Sequence, residues 1–374
     1  MNNRSLLIIC ILLPLIGMAQ THKHDSLYLG IDNKLEEAVV TGTRNETDIR
    51  HLSQTVTIIS RKTIENSQQY TLLPILTEEI PSLFTTSRGM MGFGVSNGAA
   101  GGMSLRGLSG NNARLMVLID GHPQYAGIFG HPISDAYQTL LAERVEVLRG
   151  PSSVLYGSNA MGGVVNIVTR SMHEDGFRTH LRAGYGSFNT LETEATGRFR
   201  KGRFSGIVSG SYNRSDEHRE NMDFEQYSTF AKFGYDLTKN WNARADINVT
   251  HFNAANPGPI SASLLECDQR ITRGMSSVSF QNSYDRTSGG VNVFYNWGRH
   301  YINDGYAPEK GEHPQDGRFR SFDDMMGISV FQSIRIFNGN RVTFGADWFR
   351  YGGHARTEYV KGENSGTSRD IVDK

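Results

Sequence analysis

From about residue 177 the chain repeats segments in which apolar and polar side chains alternate one for one. A β-strand turns successive side chains to opposite faces, so each segment has one apolar and one polar face. In 241–251, Trp241, Ala243, Ala245, Ile247, Val249 and His251 share a face, and Asn242, Arg244, Asp246, Asn248 and Thr250 share the other. In 227–237, Thr229, Ala231, Phe233, Tyr235 and Leu237 oppose Lys232, Gly234 and Asp236. Val291, Val293, Tyr295 and Trp297 form one face of 291–297, and Val342, Phe344, Ala346 and Trp348 one face of 342–348. Aromatic residues gather near the segment ends: Trp241, Phe252, Tyr284, Trp297, Tyr301, Trp348 and Tyr351. Segments of about ten residues, apolar on one side and ringed by aromatics, predict a transmembrane β-barrel with a polar interior.

The connections carry the same signal. Nine strands are expected, at about 177–187, 190–200, 203–213, 227–237, 241–251, 276–286, 290–300, 325–337 and 341–352. After the third, long links (214–226, 252–275, 301–324) alternate with short turns. Outer-membrane barrels pair long external loops with short periplasmic turns, a rule that a soluble sandwich does not share. Strands one and three then run outward, which puts the end of the preceding region on the periplasmic side. Nine strands leave a barrel unclosed, so this reading expects an incomplete barrel.

Residues 1–19 have the form of a secretory signal peptide: Arg4, an apolar stretch from Leu6 to Ile16, and the small-x-small site Gly17-Met18-Ala19. Cleavage there removes Cys10 and leaves Cys267 as the one cysteine, so no internal disulfide is expected. Beyond the signal peptide no apolar run reaches the length of a membrane helix. Lys and Arg (38) balance Asp and Glu (38), which gives no electrostatic reason to expect nucleic acid. Residues 20–35 are polar and read as a flexible lead. From 36 to 170 short β-rich runs alternate with helix-like stretches at Arg61 to Gln69, capped by Ser60, and at Leu72 to Ile80. This predicts a compact α+β domain ahead of the barrel.

Two motifs in that domain are specific. One is Ser104-Leu105-Arg106-Gly107 followed by Arg114-Leu115-Met116-Val117-Leu118-Ile119-Asp120-Gly121. The other is Glu143-Arg144-Val145-Glu146-Val147-Leu148-Arg149-Gly150-Pro151-Ser152-Ser153-Val154-Leu155-Tyr156-Gly157-Ser158-Asn159-Ala160-Met161-Gly162-Gly163-Val164-Val165-Asn166-Ile167-Val168-Thr169. Both resemble the plug domain of TonB-dependent outer-membrane receptors of the siderophore, haem and cobalamin type. Upstream, Leu35-Glu36-Glu37-Ala38-Val39-Val40-Thr41-Gly42 looks like a TonB box. The order of signal peptide, box (36–42), plug (43–170) and barrel strands (177–374) is similar to the family's. A barrel that encloses such a plug has about 22 strands. The resemblance therefore implies an α+β plug followed by an antiparallel transmembrane β-barrel, present here in its N-terminal part.

The resemblance also implies function. Such receptors take up scarce large solutes (ferric siderophores, haem, cobalamin) across the outer membrane of Gram-negative bacteria, with plug and box facing the periplasm. Energy comes from the TonB–ExbB–ExbD complex. Glu37, Ala38, Val39, Val40 and Thr41 would bind TonB; an extended β-prone segment can add as a strand to a partner's sheet edge. Ligand would meet the plug apex, where Met90, Met91, Phe93, His122, Tyr125 and His131 are candidates, with His122 and His131 also readable as turn elements before proline. Arg106, Glu143, Arg144, Glu146 and Arg149 would contact the polar barrel wall. Outer-membrane lipid, lipopolysaccharide included, would surround the barrel. No cofactor or resident metal is implied. No Ser-His-Asp spacing, His-Glu-x-x-His or paired-cysteine motif points to an enzyme. A SusC-like saccharide transporter and a non-transporting adhesin or docking barrel are the alternatives.

Overall fold

The computed structural model describes residues 38–39, 47–48, 52, 54–93, 102–109, 115–125, 127–128, 130 and 132–373. The signal peptide, the polar lead, Glu37, Val40, Thr41 and His131 lie outside the described residues. Ahead of residue 52 only two short strands are described, β1 (Ala38–Val39) and β2 (Thr47–Asp48).

The N-terminal region is built on β3 (Thr55–Ile59), β7 (Leu115–Ile119), β8 (His122–Pro123), β9 (Ala142–Arg149) and β10 (Gly163–Thr169), introduced here with β4 (Leu83–Thr85), β5 (Met103–Leu105) and β6 (Leu108–Ser109). One sheet has the order β3-β9-β10-β7-β8, and β4-β5-β6 form a second. Within the larger sheet β10 pairs parallel with β7, and its other pairings are antiparallel. Strand β7 is Leu-Met-Val-Leu-Ile, buried throughout, the unbroken apolar run expected of a strand covered on both faces. Helices α1 (Arg61–Asn66) and α2 (Leu72–Glu79) occupy the stretches expected to be helical. Ser60 caps α1 by accepting the Thr63 amide at 3.2 Å. Pro74 is tolerated in α2 because it falls in the first turn, where its missing N–H costs nothing. Leu72, Leu73, Ile75 and Leu76 of α2 join Ile59, Leu141, Val145, Val147 and Ile167 in one core.

The wall that follows is a single antiparallel meander. Its first five strands are β11 (Gly176–Gly186), β12 (Thr190–Lys201), β13 (Phe204–Ser215), β14 (Phe224–Asp236) and β15 (Trp241–Ala255). Then come β16 (Leu265–Ser283), β17 (Thr287–Tyr306), β18 (Gly317–Ile334), β19 (Val342–Tyr359) and β20 (Ser368–Asp373). Each strand pairs with the next in sequence, and β11 and β20 are the two edges.

Two expectations change. The wall has ten strands, not nine, because 368–373 pairs with β19; its polar flank, Lys361 to Thr367, carries no alternation to announce it. The long links are also shorter than expected. Strands β15 to β18 run on through most of 252–275 and 301–324, leaving links at 256–264 and 307–316. Strands that extend past an apolar belt are wet on their outer face, so the alternation fades while the backbone ladder continues.

The faces match the pattern. Val278, Val293 and Ile328 are paired neighbours across three strands and, like Ile247 on β15, are exposed on the outer face. Asn248, Thr250, Gln269, Asn296 and Asp323 point to the other face and are buried against the N-terminal region. Glycine permits one close approach on the outer face: a Cβ on Gly274 would lie 2.0 Å from the Trp297 ring. Among the described residues no helix is long and apolar enough to cross a membrane.

Candidate functional site between the N-terminal region and the wall

The polar inner face of the wall needs partners wherever it is covered, because an unpaired buried polar group costs about 1–3 kcal/mol. Four groups of contacts supply them.

The first lies at the turn between β7 and β8. Asp120 (φ 47°) and Gly121 (φ 84°) are both left-handed, the geometry of a tight two-residue hairpin turn that favours an Asp-Gly pair. The turn presents the Asp120 carboxylate to Thr169, which donates from its amide at 2.8 Å and from its hydroxyl at 2.5 Å. Lys232 of β14 reaches in from the wall and donates to Asp120 at 3.0 Å and to the Thr169 hydroxyl at 2.5 Å. Burial would raise the Asp120 pKa, but the Lys232 charge and the Thr169 bonds outweigh it and hold the carboxyl at about 2. This is a charged clamp between the two parts of the molecule.

The second holds the loop after β8. Asn296 donates to the Pro123 carbonyl at 2.7 Å, and Arg273 to the Tyr125 carbonyl at 3.4 Å. The Gly127 amide donates to Asp323 at 2.7 Å. Asp323 also receives two bonds from Arg273, at 2.9 and 2.7 Å, and its carboxylate lies 3.9 Å from the His300 ring. Gly127 cannot carry a side chain there, since a Cβ would sit 2.3 Å from the Asp324 carbonyl.

The third lies at the loop 88–93. The Met91 amide donates to Glu217 at 2.6 Å, and Arg88 to the Ala255 carbonyl at 2.5 Å. Phe93 donates its amide to Asp135, while Gln226 of the wall donates to the Asp135 carbonyl at 2.8 Å. Burial and the Asp135 charge push the Tyr70 hydroxyl, which accepts the Gly92 amide, well above its usual range. The fourth is Arg170, at the end of β10, 3.6 Å from Glu194 of β12. Burial draws its pKa down to about 10, helped by Arg61 and Arg198.

The candidate ligand residues fall in different settings. Met90 is exposed, whereas Met91 and Phe93 are buried. Met91 packs with Tyr70, Ile133, Phe224 and Phe252, and Phe93 with the main core. His122 is buried, with its ring 5.1 Å from that of Phe294. Burial depresses its pKa to about 4, so the ring is neutral. Tyr125 packs beside the β7–β10 cluster, and its carbonyl is one of the wall contacts. Among the described residues no group of three His, Cys, Asp or Glu side chains could hold a metal.

The five charges assigned by resemblance to the barrel wall also separate. Arg106 is exposed in the β5–β6 turn, and Glu143 and Arg149 are half-buried on β9. Arg144 and Glu146 pair with each other at 2.8 Å along β9, an inner strand of the five-stranded sheet flanked by β3 and β10. Among the described residues, ion pairs that cross to the wall include Asp120–Lys232 and Arg170–Glu194. Sequence reasoning missed Asp120, Thr169, Lys232, Gly127, Arg273 and Asp323 as a set. Lys232 gave a signal, as a charge between Ala231 and Phe233 in an alternating strand, but nothing local pairs it with Asp120.

Comparison with known proteins fits this architecture. A family model described as the TonB-dependent receptor plug domain matches residues 48–164. The vitamin B12 transporter BtuB of Vibrio vulnificus (strain CMCP6) is 29% identical over 207 residues, covering 54% of this chain and 31% of that protein. The fold is similar to BauA, the ferric preacinetobactin receptor of Acinetobacter baumannii (TM-score 0.71, 15% identity, 90% of this chain and 53% of that one). It is similar also to Pseudomonas aeruginosa FpvA bound to a pyoverdine–iron complex (TM-score 0.70, 14% identity, 90% and 47%). The chain thus spans about a third of the curated relative and about half of these solved chains. Residues 48–164 thus match the plug domain of TonB-dependent receptors, and with the antiparallel wall wrapped against them the chain has the fold of such a receptor's plug and part of its barrel.

Proposed function

We propose that this protein is an outer-membrane receptor for energy-coupled uptake of a scarce large solute, a ferric siderophore, haem or cobalamin. The observation that carries this reading is the way the plug is seated. Its wall contacts include discrete hydrogen bonds and ion pairs, centred on Asp120–Lys232 and Gly127–Asp323. A typical hydrogen bond contributes about 1 kcal/mol net, so such a seat can be opened stepwise by force. In this reading plug and box face the periplasm. The segment Glu37, Ala38, Val39, Val40 and Thr41 adds as a strand to TonB, and the TonB–ExbB–ExbD complex supplies the pull. Ala38–Val39 is extended, as that mode requires.

Ligand meets the opposite end of the plug, where Met90 is exposed and where Met91, Phe93, His122, Tyr125 and His131 remain the candidates. The solute crosses without covalent change, so no catalytic residue is assigned. The similarity to a vitamin B12 transporter makes cobalamin the first compound to test. Deleting residues 36–42 from the full-length protein abolishes uptake of the cognate solute and leaves cell-surface binding intact. Uptake that survives the deletion would turn the reading toward an adhesin or docking barrel.

A further inference from the structure

The outer face of the wall carries a basic groove that the uptake reading does not use. On β17 the outward series Val291, Val293, Tyr295 and Trp297 continues with the same period to Arg299 and Tyr301. The stacked rings of Tyr295 and Trp297, 5.8 Å apart, mark the end of the apolar belt. Directly beyond it, one row of paired residues runs Arg270, Tyr301, Arg320 and Arg356 across β16 to β19. The adjacent row runs Thr272, Arg299, Phe322 and His354. Together the two rows line an open groove of about 370 Å³.

The charge of the groove is only partly compensated. The guanidinium carbons of Arg270 and Arg320 lie 5.4 and 5.0 Å from the centre of the Tyr301 ring, which orients both. Asp268 is 3.9 Å from Arg270, and Glu358 pairs with both Arg320 and Arg356. Among the described residues Arg299 forms no ion pair, so four arginines face two carboxylates there. Exposed pairs of this kind contribute little and open readily to a stronger anion. Arginine rather than lysine supplies the charge, and its planar fork binds phosphate oxygens in pairs. A charge on a barrel's lipid-facing side costs about 2–4 kcal/mol at mid-membrane but about 0–1 near the interface. The groove therefore lies where an arginine is tolerated and where lipid headgroups are.

We infer that this groove binds the phosphates of a phosphorylated outer-leaflet lipid of the lipid A class, an inference that rests on the outer-membrane reading above. The occupant is a lipid because the apolar belt below the arginines supplies the surface for its acyl chains. It is not the imported solute, because these side chains share the outward face.

The test uses the full-length protein purified in detergent, with bisphosphorylated lipid A, phosphatidylcholine and inorganic phosphate as probes. The expected result is binding of lipid A in preference to phosphatidylcholine, with millimolar inorganic phosphate failing to displace it. The double variant Arg299→Gln/Arg320→Gln weakens binding at least ten-fold, whereas Arg299→Lys/Arg320→Lys loses less. Equal displacement by inorganic phosphate would assign the groove to a free anion. Undiminished binding by the Gln variant would place the lipid elsewhere, and either result overturns the inference. Fractionation separates the two readings. A wild-type protein missing from the outer membrane overturns both. One that inserts, yet binds lipid A no better than phosphatidylcholine, overturns this one alone.

Discussion

The plug and the wall use the same alternating backbone and solve opposite problems. In the plug, strands β7, β9 and β10 turn Val117, Val145, Val147 and Ile167 into a dry apolar core. In the wall, the buried face is the polar one, with Asn248, Gln269, Lys232, Asn296 and Asp323, while Ile247, Val293 and Ile328 are exposed. The apolar effect that assembles the plug thus cannot by itself hold plug to wall. The joint depends on matched polar groups, supplemented by a few apolar wall residues such as Ile207, Phe230 and Met275. Such a joint is specific, because it depends on which polar groups meet.

The sharpest way to break this comparison is to remove one partner of the charged clamp. Lys232→Met leaves Asp120 buried without its cation, and loosens the seat of the plug by about 3–5 kcal/mol. Hydrogen exchange of residues 115–125 reads the change, and pairing Lys232→Met with Asp120→Asn should restore much of the loss. Unaltered exchange in the single variant would mean that the joint is apolar after all.

A smaller effect tests the wall's outer face. Val293→Arg places a charge within the apolar belt and costs about 2–4 kcal/mol of folding in a bilayer. The amount of folded protein recovered from outer membranes measures this, and recovery equal to wild type would contradict a lipid-facing assignment. On the inner face, Gly127→Ala drives a methyl into the Asp324 carbonyl and costs about 1–3 kcal/mol. It shows as faster proteolysis of the loop 121–130.

The smallest effect is pH dependent. The folded pKa of His122, about 4, lies below its unfolded value of 6.5, so its contribution is complete above pH 6.5 and declines as pH falls toward 4. Between pH 7.5 and 6 the plug loses about 1 kcal/mol, and His122→Phe removes that slope. Thermal unfolding of both proteins across this range checks it.

Much of this architecture was legible in the residues. Alternation located the wall strands to within a few positions from 176 to 255, because lipid on one side and polar groups on the other impose a period of two. It did not show how far β16 to β18 run on, since beyond the belt both faces accept polar residues. It did not show β20 either, whose flank is polar throughout. The contacts of the candidate site were the least legible part. Lys232 meets Asp120 across 112 residues of sequence, and Asp323 meets Gly127 across 196. Nothing in a strand's own pattern states which loop will lie over it. Arg144 and Glu146 look like free charges on a β-run, and only the fold reveals that they neutralise each other along one strand.

The grip on the loop after β8 has an evolutionary consequence. Three of its bonds, from Asn296, from Arg273 and to Asp323, end on the main chain at Pro123, Tyr125 and Gly127. A socket that recognises peptide groups is indifferent to most of the letters threaded through it. Descendants can rewrite those letters and inherit the docking intact, with the glycine as the one spelling they must keep.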